Sequence, residues 1–253
     1  MKARPGVELA SLTDAGCQRE NNEDSYGYWE PASDADFATL GRLAIVADGM
    51  GGHEGGQIAS SLAVEAFTNA YAQATDSDPQ KRLLTAVKDA HRTIQQRARQ
   101  DPHLGSMGTT CTALALTDGR LYFVHVGDSR LYFFREGKLR TLSSDHSLVA
   151  RLLEKGLIRP DQAKDHPQKH VLTSALGVAD EEIEVDAPAE PLLLHPGDIL
   201  MICTDGLWGQ MESGEIEQRL GSQSPSAACR SLVQLAKDRG GPDNITLQVL
   251  LIK

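Results

Sequence analysis

Residues 110–136 read TCTALALTDGRLYFVHVGDSRLYFFRE, and this stretch holds three runs of strand-forming residues in quick succession. The first two runs, 110–117 and 120–128, are separated only by Asp118-Gly119, a dipeptide that favours the tightest β-hairpin turns. A third run follows at 130–136. Strands joined this closely pair antiparallel, because a parallel crossover needs a dozen or more residues. The stretch therefore predicts the core of an antiparallel sheet.

Similar strand patterns recur along the chain and outnumber the helical ones. Further strands are predicted at 7–12, 25–29, 43–48, 138–143, 192–195, 198–205 and 245–253. Helical spacing of apolar residues appears at 55–72, 79–100 and 224–239. Strands and helices do not alternate, which favours an α+β fold of two mainly antiparallel sheets with helices outside. We predict one domain over residues 1–253, with an irregular surface segment at 144–190.

Composition excludes several classes of protein. The net charge is −10 and the isoelectric point is about 5.2, and no run rich in Lys and Arg offers contacts to nucleic-acid phosphates. The four cysteines show no metal-ligand spacing: Cys17, Cys111, Cys203 and Cys229. The sequence begins MKARPGVELASL, without the apolar segment of a signal peptide, and no apolar run is long enough to span a bilayer. We expect a cytoplasmic protein with reduced thiols and no membrane or nucleic-acid partner.

Acidic residues stand at the edges of several predicted apolar strands. The strand in LAIVADGM ends at Asp48, and the strand in ILMICTDGLW ends at Asp205. The full set with this pattern is Glu23, Asp24, Asp48, Asp128, Asp205 and Asp243. Asp118 is different, because it lies between two hairpin strands and is expected to be an ordinary turn residue.

Acids crowded at the ends of strands predict a site for divalent metal ions. Neighbouring carboxylates repel one another and resist ionisation unless cations lie between them. Oxygen ligands without His or Cys partners favour Mg²⁺ or Mn²⁺ over Zn²⁺. The glycines after Asp48, in VADGMGGHEGG (46–56), would let the main chain approach an ion and offer a carbonyl oxygen. A phosphate-binding P-loop is the alternative, but the GxxxxGK[ST] lysine is absent.

Arg19 precedes the first acid pair in RENNED. A planar guanidinium can hold two oxygens of a phosphate dianion. Two metal ions lower the pKa of a bound water and stabilise in-line displacement at phosphorus. Together, Arg19 and the acids indicate hydrolysis of a phosphate ester.

At this point the sequence resembles the metal-dependent Ser/Thr protein phosphatase family, type 2C, in its bacterial branch. The resemblance covers nearly the whole chain, and the family's motifs occur in family order. They are TDAGCQRENNEDS (13–25), VADGMGGHEGG (46–56), GTTCTAL (108–114), VGDSRLY (126–132), DHSLVARLLEKGLI (145–158), HPQKHVLTSALG (166–177), CTDGLWGQM (203–211) and GGPDNIT (240–246).

The resemblance implies a four-layer α-β-β-α sandwich that hydrolyses phosphoserine and phosphothreonine in proteins by a water that the metal ions activate. It implies two to three Mn²⁺ or Mg²⁺ ions held by Glu23, Asp48, the Gly49 carbonyl, Asp128, Asp205 and Asp243. In this set Asp48 bridges two ions, and Asp128 shares a third, weaker ion with Asp205. Arg19 would bind the substrate phosphate, and Asp24 and Asn244 would support the site from behind the ligands. Residues 144–180 correspond to the family's flap.

One position departs from the animal members of the family, which carry a histidine directly after the Asp-Gly and assign it to protonating the leaving alcohol. Here that position is Met50, so the identity of the general acid stays open. His53 lies nearby in sequence, and we do not expect it to be an essential acid.

The expected partners are phosphorylated proteins, with a bacterial Ser/Thr kinase as the opposing enzyme, and the expected state is a monomer. A catalytically inactive, phosphoprotein-binding pseudophosphatase is the alternative from another class of protein. A dedicated switch phosphatase with a single protein substrate is a second alternative, although no sensor or coiled-coil extension is visible in the sequence.

Overall fold

The computed structural model describes residues 4–51, 54–163, 166–178 and 183–253. Its strands are β1 (Val7–Asp14), β2 (Asp24–Trp29), β3 (Arg42–Met50), β4 (Gly108–Thr109), β5 (Cys111–Thr117), β6 (Arg120–Val126), β7 (Arg130–Arg135), β8 (Lys138–Thr141), β9 (Leu192–Leu193), β10 (Ile199–Cys203) and β11 (Ile245–Ile252). Its α-helices are α1 (Asp34–Leu40), α2 (Gly55–Gln73), α3 (Pro79–Gln100), α4 (Leu148–Glu154), α5 (Pro160–Ala163), α6 (Asp205–Trp208), α7 (Ser213–Ser222) and α8 (Pro225–Asp238).

The strands form two antiparallel sheets. One sheet has the order β1-β11-β10-β7-β8, and the other has the order β2-β3-β5-β6-β9, with β4 paired to the end of β3. All of the strand pairs in the described residues are antiparallel. The predicted α+β fold with two antiparallel sheets is confirmed.

Three buried apolar clusters hold four layers together. The central cluster lies between the sheets. It includes four fully buried side chains: Val46, Leu114, Phe133 and Ile202. A second cluster packs helices α2 and α3 on the sheet that contains β3 and β5. A third packs α7 and α8 on the sheet that contains β10 and β11. Apolar burial on both faces of each sheet is what fixes the layered arrangement.

The Asp118-Gly119 turn is the hairpin turn that the sequence predicts. Both residues have positive φ angles, 50° and 68°, which is the type I′ arrangement that matches the twist of the flanking strands. Strands β5 and β6 pair across it from Thr117 and Arg120 onward. The interpretation of Asp118 as a turn residue agrees with this geometry.

Several elements differ from the sequence prediction. Strand β3 runs on to Met50, beyond the predicted end at Asp48, because its last residues pair with β4. Strand β10 ends at Cys203, and Asp205 begins the short helix α6 instead of closing the strand. Short helices were not predicted because one or two turns carry too little periodicity to recognise. They include α4 and α5 within the segment 144–190. In the described part of the chain, no helix is long and apolar enough to cross a membrane.

Candidate active site

Strands β2 and β3 bring the first predicted acids together at one end of the sheet. Asp24 and Asp48 are direct antiparallel partners. The Gly49 N–H donates to the Glu23 carbonyl oxygen over 3.2 Å. Adjacent strands lie about 4.8 Å apart, so this pairing alone makes the acids Glu23, Asp24 and Asp48 neighbours.

Asn244 joins the N-terminal acids to those near the start of β11. Its side-chain oxygen accepts from the Glu23 N–H (2.8 Å), and its amide donates to the carbonyls of Ala15 (3.1 Å) and Asn21 (2.9 Å). Asn244 is buried, so each of these bonds replaces one to water. They hold the loop before β2 against the segment that carries Asp243. The predicted supporting position of Asn244 thus has a physical basis.

Thr204 and the helix α6 bring Asp205 to the same end of the sandwich. The Thr204 hydroxyl donates to Asp24 Oδ2 over 2.9 Å and lies fully buried between the sheets. Asp205 follows directly as the first residue of α6. Sequence reasoning did not identify Thr204, although its place before the Asp-Gly is typical of a helix N-cap residue.

Asp128 lies in the turn after β6, and Trp208 fixes that turn. The Trp208 indole N–H donates to the Asp128 carbonyl oxygen over 2.9 Å. The Arg130 guanidinium stacks 3.5 Å from the centre of the Trp208 ring. Two of its nitrogens donate hydrogen bonds to the Asp145 carboxylate. Because Trp208 closes α6, the turn carrying Asp128 is tied to the helix that begins at Asp205. No local sequence pattern marks Trp208 for this position.

The electrostatics show that these carboxyl groups lie close enough to affect one another. Burial, followed by the charge of Asp24, raises the pKa of Asp48 well above its usual range. Burial raises the pKa of Asp24 to about 7 and that of Asp128 to about 8, and the charge of Asp205 adds to both shifts. The charge of Asp243 also raises the pKa of Asp24 and of Asp48. Without cations this group of acids resists ionisation.

The chemistry of this site fits divalent metal ions. Asp24 Oδ1 is buried and has no hydrogen-bond partner among the residues that the structure describes, which is costly unless a cation or an ordered water satisfies it. The donors are oxygens, which Mg²⁺ and Mn²⁺ prefer. Within the described ranges, no three His, Cys, Asp or Glu side chains lie close enough together to hold a metal ion. The shifted pKa values show the acids to be neighbours, because charges act over longer distances than coordination bonds.

Arg19 lies at the exposed edge of the acidic group. Its Nη2 donates to Asp243 Oδ2 over 2.8 Å, and about half of its side chain stays accessible. Partial burial opposes the charged form, but the neighbouring acids, led by Asp243, raise the pKa of Arg19. The guanidinium is thus charged, held at one end by a carboxylate and open to a ligand at the other.

His170 is a second basic group beside the acids, and the sequence did not assign it to the site. Its Nδ1 lies 3.7 Å from Asp205 Oδ2, and that carboxylate raises the pKa of His170. His170 belongs to the predicted flap, so its distance from Asp205 in sequence concealed the contact. Met50 lies at the end of β3, and His53 lies outside the described residues.

Gly49 and Gly56 allow the acidic group to pack this closely. A Cβ on Gly49 would lie 2.1 Å from the Gly56 carbonyl oxygen and 2.5 Å from that of Glu23. A Cβ on Gly56 would lie 2.0 Å from Glu23 Oε2. These distances are far inside van der Waals contact, so side chains are excluded where α2 begins. The glycines that follow Asp48 therefore serve the close approach of main chain and acids.

Substituting Gly56 by alanine is expected to weaken Mn²⁺ binding by at least about tenfold, because the new methyl group displaces the Glu23 carboxylate. Gly55→Ala is the matched control in the same helical turn, since its Cβ would meet the Met107 Cβ at an ordinary 3.4 Å. Isothermal titration with Mn²⁺ measures both variants. Equal affinities in the two would show that Glu23 does not depend on the space at Gly56.

Fold and site together define a class of protein: a metal-dependent phosphatase built on a two-sheet sandwich. A family model described as protein phosphatase 2C matches residues 18–239. The chain therefore belongs to the protein phosphatase 2C family, as the sequence motifs predict.

Individual relatives agree with this assignment. The protein phosphatase PhpP of Streptococcus pneumoniae is 34% identical over 249 residues, covering 96% of this chain and 97% of PhpP. The crystal structure of the serine/threonine phosphatase PstP of Mycobacterium tuberculosis is similar with a TM-score of 0.85 and 32% identity, covering 98% and 99% of the two chains.

A structure of the PstP catalytic domain in complex with two manganese ions is similar with a TM-score of 0.83 and 31% identity, covering 98% of each chain. The comparisons confirm the predicted enzyme class, a Ser/Thr protein phosphatase, and its Mn²⁺ or Mg²⁺ cofactor. Nothing in them favours the inactive pseudophosphatase.

Proposed function

We propose that this chain removes phosphate from phosphoserine and phosphothreonine in proteins at the acidic end of the sandwich, and that Arg19 receives the phosphate. The observation that carries this assignment is the meeting of Asp24, Asp48, Asp128 and Asp205 at one end of the sandwich. Strand pairing places Asp24 beside Asp48, Thr204 ties Asp24 to the segment that carries Asp205, and the charge of Asp205 raises the pKa of the other three acids. Structural ion pairs would lower the pKa of carboxyl groups, whereas this group is stable only with protons or cations bound.

The residues that would hold the ions are those implied by the family motifs: Glu23, Asp48, the Gly49 carbonyl, Asp128, Asp205 and Asp243. Divalent ions at such a site supply Lewis-acid stabilisation of phosphate charge and a nucleophile at neutral pH. Asp24 would support the site without binding an ion directly. Thr204 donates to one of its oxygens, and the other oxygen has no hydrogen-bond partner among the described residues. Asn244 keeps the loop with Glu23 in register with Asp243.

Arg19 would bind and orient the phosphate dianion. Its ion pair with Asp243 holds the guanidinium at the mouth of the acidic group, which reduces the entropy lost when phosphate binds. Met50 carries no titratable proton, so the leaving alcohol must be protonated by another group. No covalent enzyme intermediate is required by this arrangement.

The cellular setting is a further part of the proposal. We place the enzyme in the cytoplasm as a monomer, formed by one catalytic domain over residues 1–253 with a flap at about 144–180. There it would oppose a bacterial Ser/Thr kinase. The family membership and the negative net charge of −10 support a protein substrate over nucleic acid.

The direct test is hydrolysis of a phosphothreonine peptide by the purified chain in EDTA, Mg²⁺ or Mn²⁺. Turnover that requires a divalent ion is the expected result. Turnover in EDTA would contradict the metal-dependent assignment, and binding of the phosphopeptide without turnover in any metal would support the pseudophosphatase instead.

Arg19→Ala is expected to lower kcat/KM by about 10- to 100-fold, the effect of losing charge-assisted hydrogen bonds of roughly 1.5–3 kcal/mol. Arg19→Lys should recover only part of the loss, since an ammonium group cannot bind two oxygens in one plane. The measurement is steady-state hydrolysis of the phosphothreonine peptide in saturating Mn²⁺.

Arg120→Ala is the control for this prediction, because Arg120 is a similarly exposed arginine paired with an acid, Asp118, in the remote hairpin turn. Its kinetics should match the wild type. If Arg19→Ala and Arg120→Ala behave alike, Arg19 does not bind the phosphate.

A further inference from the structure

Three segments meet directly beside the acidic group, at the end of β3. Gly49 and Met50 pair with Thr109 and Gly108 of β4. Thr109 also exchanges two backbone hydrogen bonds with Leu176, of 2.8 and 3.0 Å, at the end of the predicted flap. The short strand β4 therefore joins the end of β3 to residues 176–178.

The side chains of Met50 and Val178 cover the backbone of Gly108 at this junction. A Cβ on Gly108 would lie 2.4 Å from Val178 Cγ2 and 3.0 Å from Met50 Cε. Both apolar side chains thus lie over the same glycine, and Val178 remains 45% exposed. We call Met50, Gly108 and Val178 the apolar shelf. Val178 is one of five large apolar side chains exposed in the described residues, and β4 places it beside the acidic group.

The backbone holds the shelf in place before any substrate arrives. The Gly177 N–H donates to Nδ1 of His91 over 3.0 Å, and His91 is itself buried on helix α3. With the Leu176–Thr109 pair, this bond fixes the chain on the N-terminal side of Val178. A surface that is already ordered loses little entropy when it binds a ligand.

The shelf faces the same side of β3 as the acid that precedes it. Side chains two residues apart in a strand point to the same face, so Met50 and Asp48 share one face at a spacing of about 7 Å. An extended peptide has the same spacing between a residue and the second residue along. A substrate that runs alongside β3 with its phosphorylated side chain in the acidic group would therefore present the side chain two residues away to the shelf.

We propose that the apolar shelf selects an apolar side chain two residues from the phosphorylated residue of the substrate protein. This inference rests on the proposed function, because it places the phosphate at the acidic group. Met and Val side chains offer neither hydrogen bonds nor charge, so a polar side chain seated there would lose its water without compensation. An apolar side chain gains from the same burial.

The test compares phosphothreonine peptides that differ only in the residue two positions before or after the phosphothreonine, as Leu, Ala or Asp. In Mn²⁺, the kcat/KM for the Leu peptide is expected to exceed that for the Asp peptide by about tenfold, at one of the two positions. This is the effect of partly burying one leucine side chain. p-Nitrophenyl phosphate, which has no flanking residues, reports whether the site is active.

Val178→Asp is expected to remove or reverse the preference for Leu, and Val178→Thr, which keeps the shape of valine, to reduce it. Val171→Asp is the matched control, since Val171 is equally exposed, 45%, but belongs to another part of the flap. It should keep the wild-type ratio of Leu to Asp peptide.

Equal hydrolysis of the Leu, Ala and Asp peptides by the wild type would overturn the shelf and leave the phosphatase assignment intact. The shelf would also be overturned if Val171→Asp and Val178→Asp changed the ratio of kcat/KM for the Leu and Asp peptides equally. Failure to hydrolyse p-nitrophenyl phosphate and every peptide would instead contradict the proposed function itself.

Discussion

Replacing Asp205 by asparagine is expected to reduce Mn²⁺-dependent phosphatase activity by more than about 100-fold, beyond the range for residues that only support a metal ligand. The two side chains have nearly the same shape, so the fold is preserved while one charge leaves the acidic group. The charge of Asp205 raises the pKa of Asp24, Asp48 and Asp128, so its removal affects two further proposed ligands and the supporting Asp24 at once. Peptide hydrolysis at saturating Mn²⁺ measures the loss.

The same substitution should stabilise the metal-free protein by roughly 1–2 kcal/mol, because it removes repulsion between neighbouring carboxylates. Lower activity together with higher stability is the signature of a residue kept for function at the expense of the fold. Urea unfolding in EDTA measures this second effect.

Asp118→Asn is the control for Asp205, since both acids precede a glycine. Asp118 lies in the exposed β5–β6 turn at φ 50°, a conformation that asparagine tolerates, and it pairs with Arg120. Its activity should equal that of the wild type. An Asp205→Asn protein that also retains full activity would contradict the ligand assignment.

The acidic group is expected to destabilise the metal-free protein increasingly as the pH rises from about 4 to about 8. The ordinary pKa of an aspartate side chain is 3.8. In the folded protein the pKa of Asp24 is about 7 and that of Asp128 is about 8. A carboxyl group with a raised pKa stabilises the fold fully below its unfolded pKa, and this stability is lost as the pH passes through the folded pKa. For Asp24 alone the shift corresponds to roughly 4 kcal/mol.

Mn²⁺ should flatten this pH dependence, because the cations replace the protons that the acids otherwise need. Urea unfolding at several pH values, in EDTA and in MnCl₂, measures the difference. A stability difference between MnCl₂ and EDTA that stays constant between pH 4 and 8 would show that the acids do not repel one another in the fold.

Much of the fold follows from local patterns in the sequence. The Asp118-Gly119 turn, the apolar strands around it and the one-sided helices α2, α3 and α8 are each determined by residues close together in the chain. The helices α6 and α7 were not predicted, because their few turns are stabilised by packing on the sheet and by capping. At α7, for example, Glu212 and Glu215 form a capping box.

Sequence patterns name candidate site residues but do not predict their arrangement. Acids beside apolar strands mark Asp48 and Asp205, but only the pairing of β2 with β3 explains why Asp24 adjoins Asp48. The hydroxyl of Thr204 and the indole of Trp208 act across elements that are remote in sequence. No periodicity encodes such contacts, because they arise from how the sheets stack.

Strand β11 lies in the middle of its sheet, between β1 and β10, although it comes last in chain order among the strands of the described residues. Its first residue follows Asp243 and Asn244, and Asn244 anchors the loop with Glu23. During synthesis on the ribosome, this sheet therefore stays incomplete between β1 and β10 until β11 emerges. Because Asp243 is one of the proposed ion ligands, the proposed ion site would likewise be completed only once this strand has been synthesised.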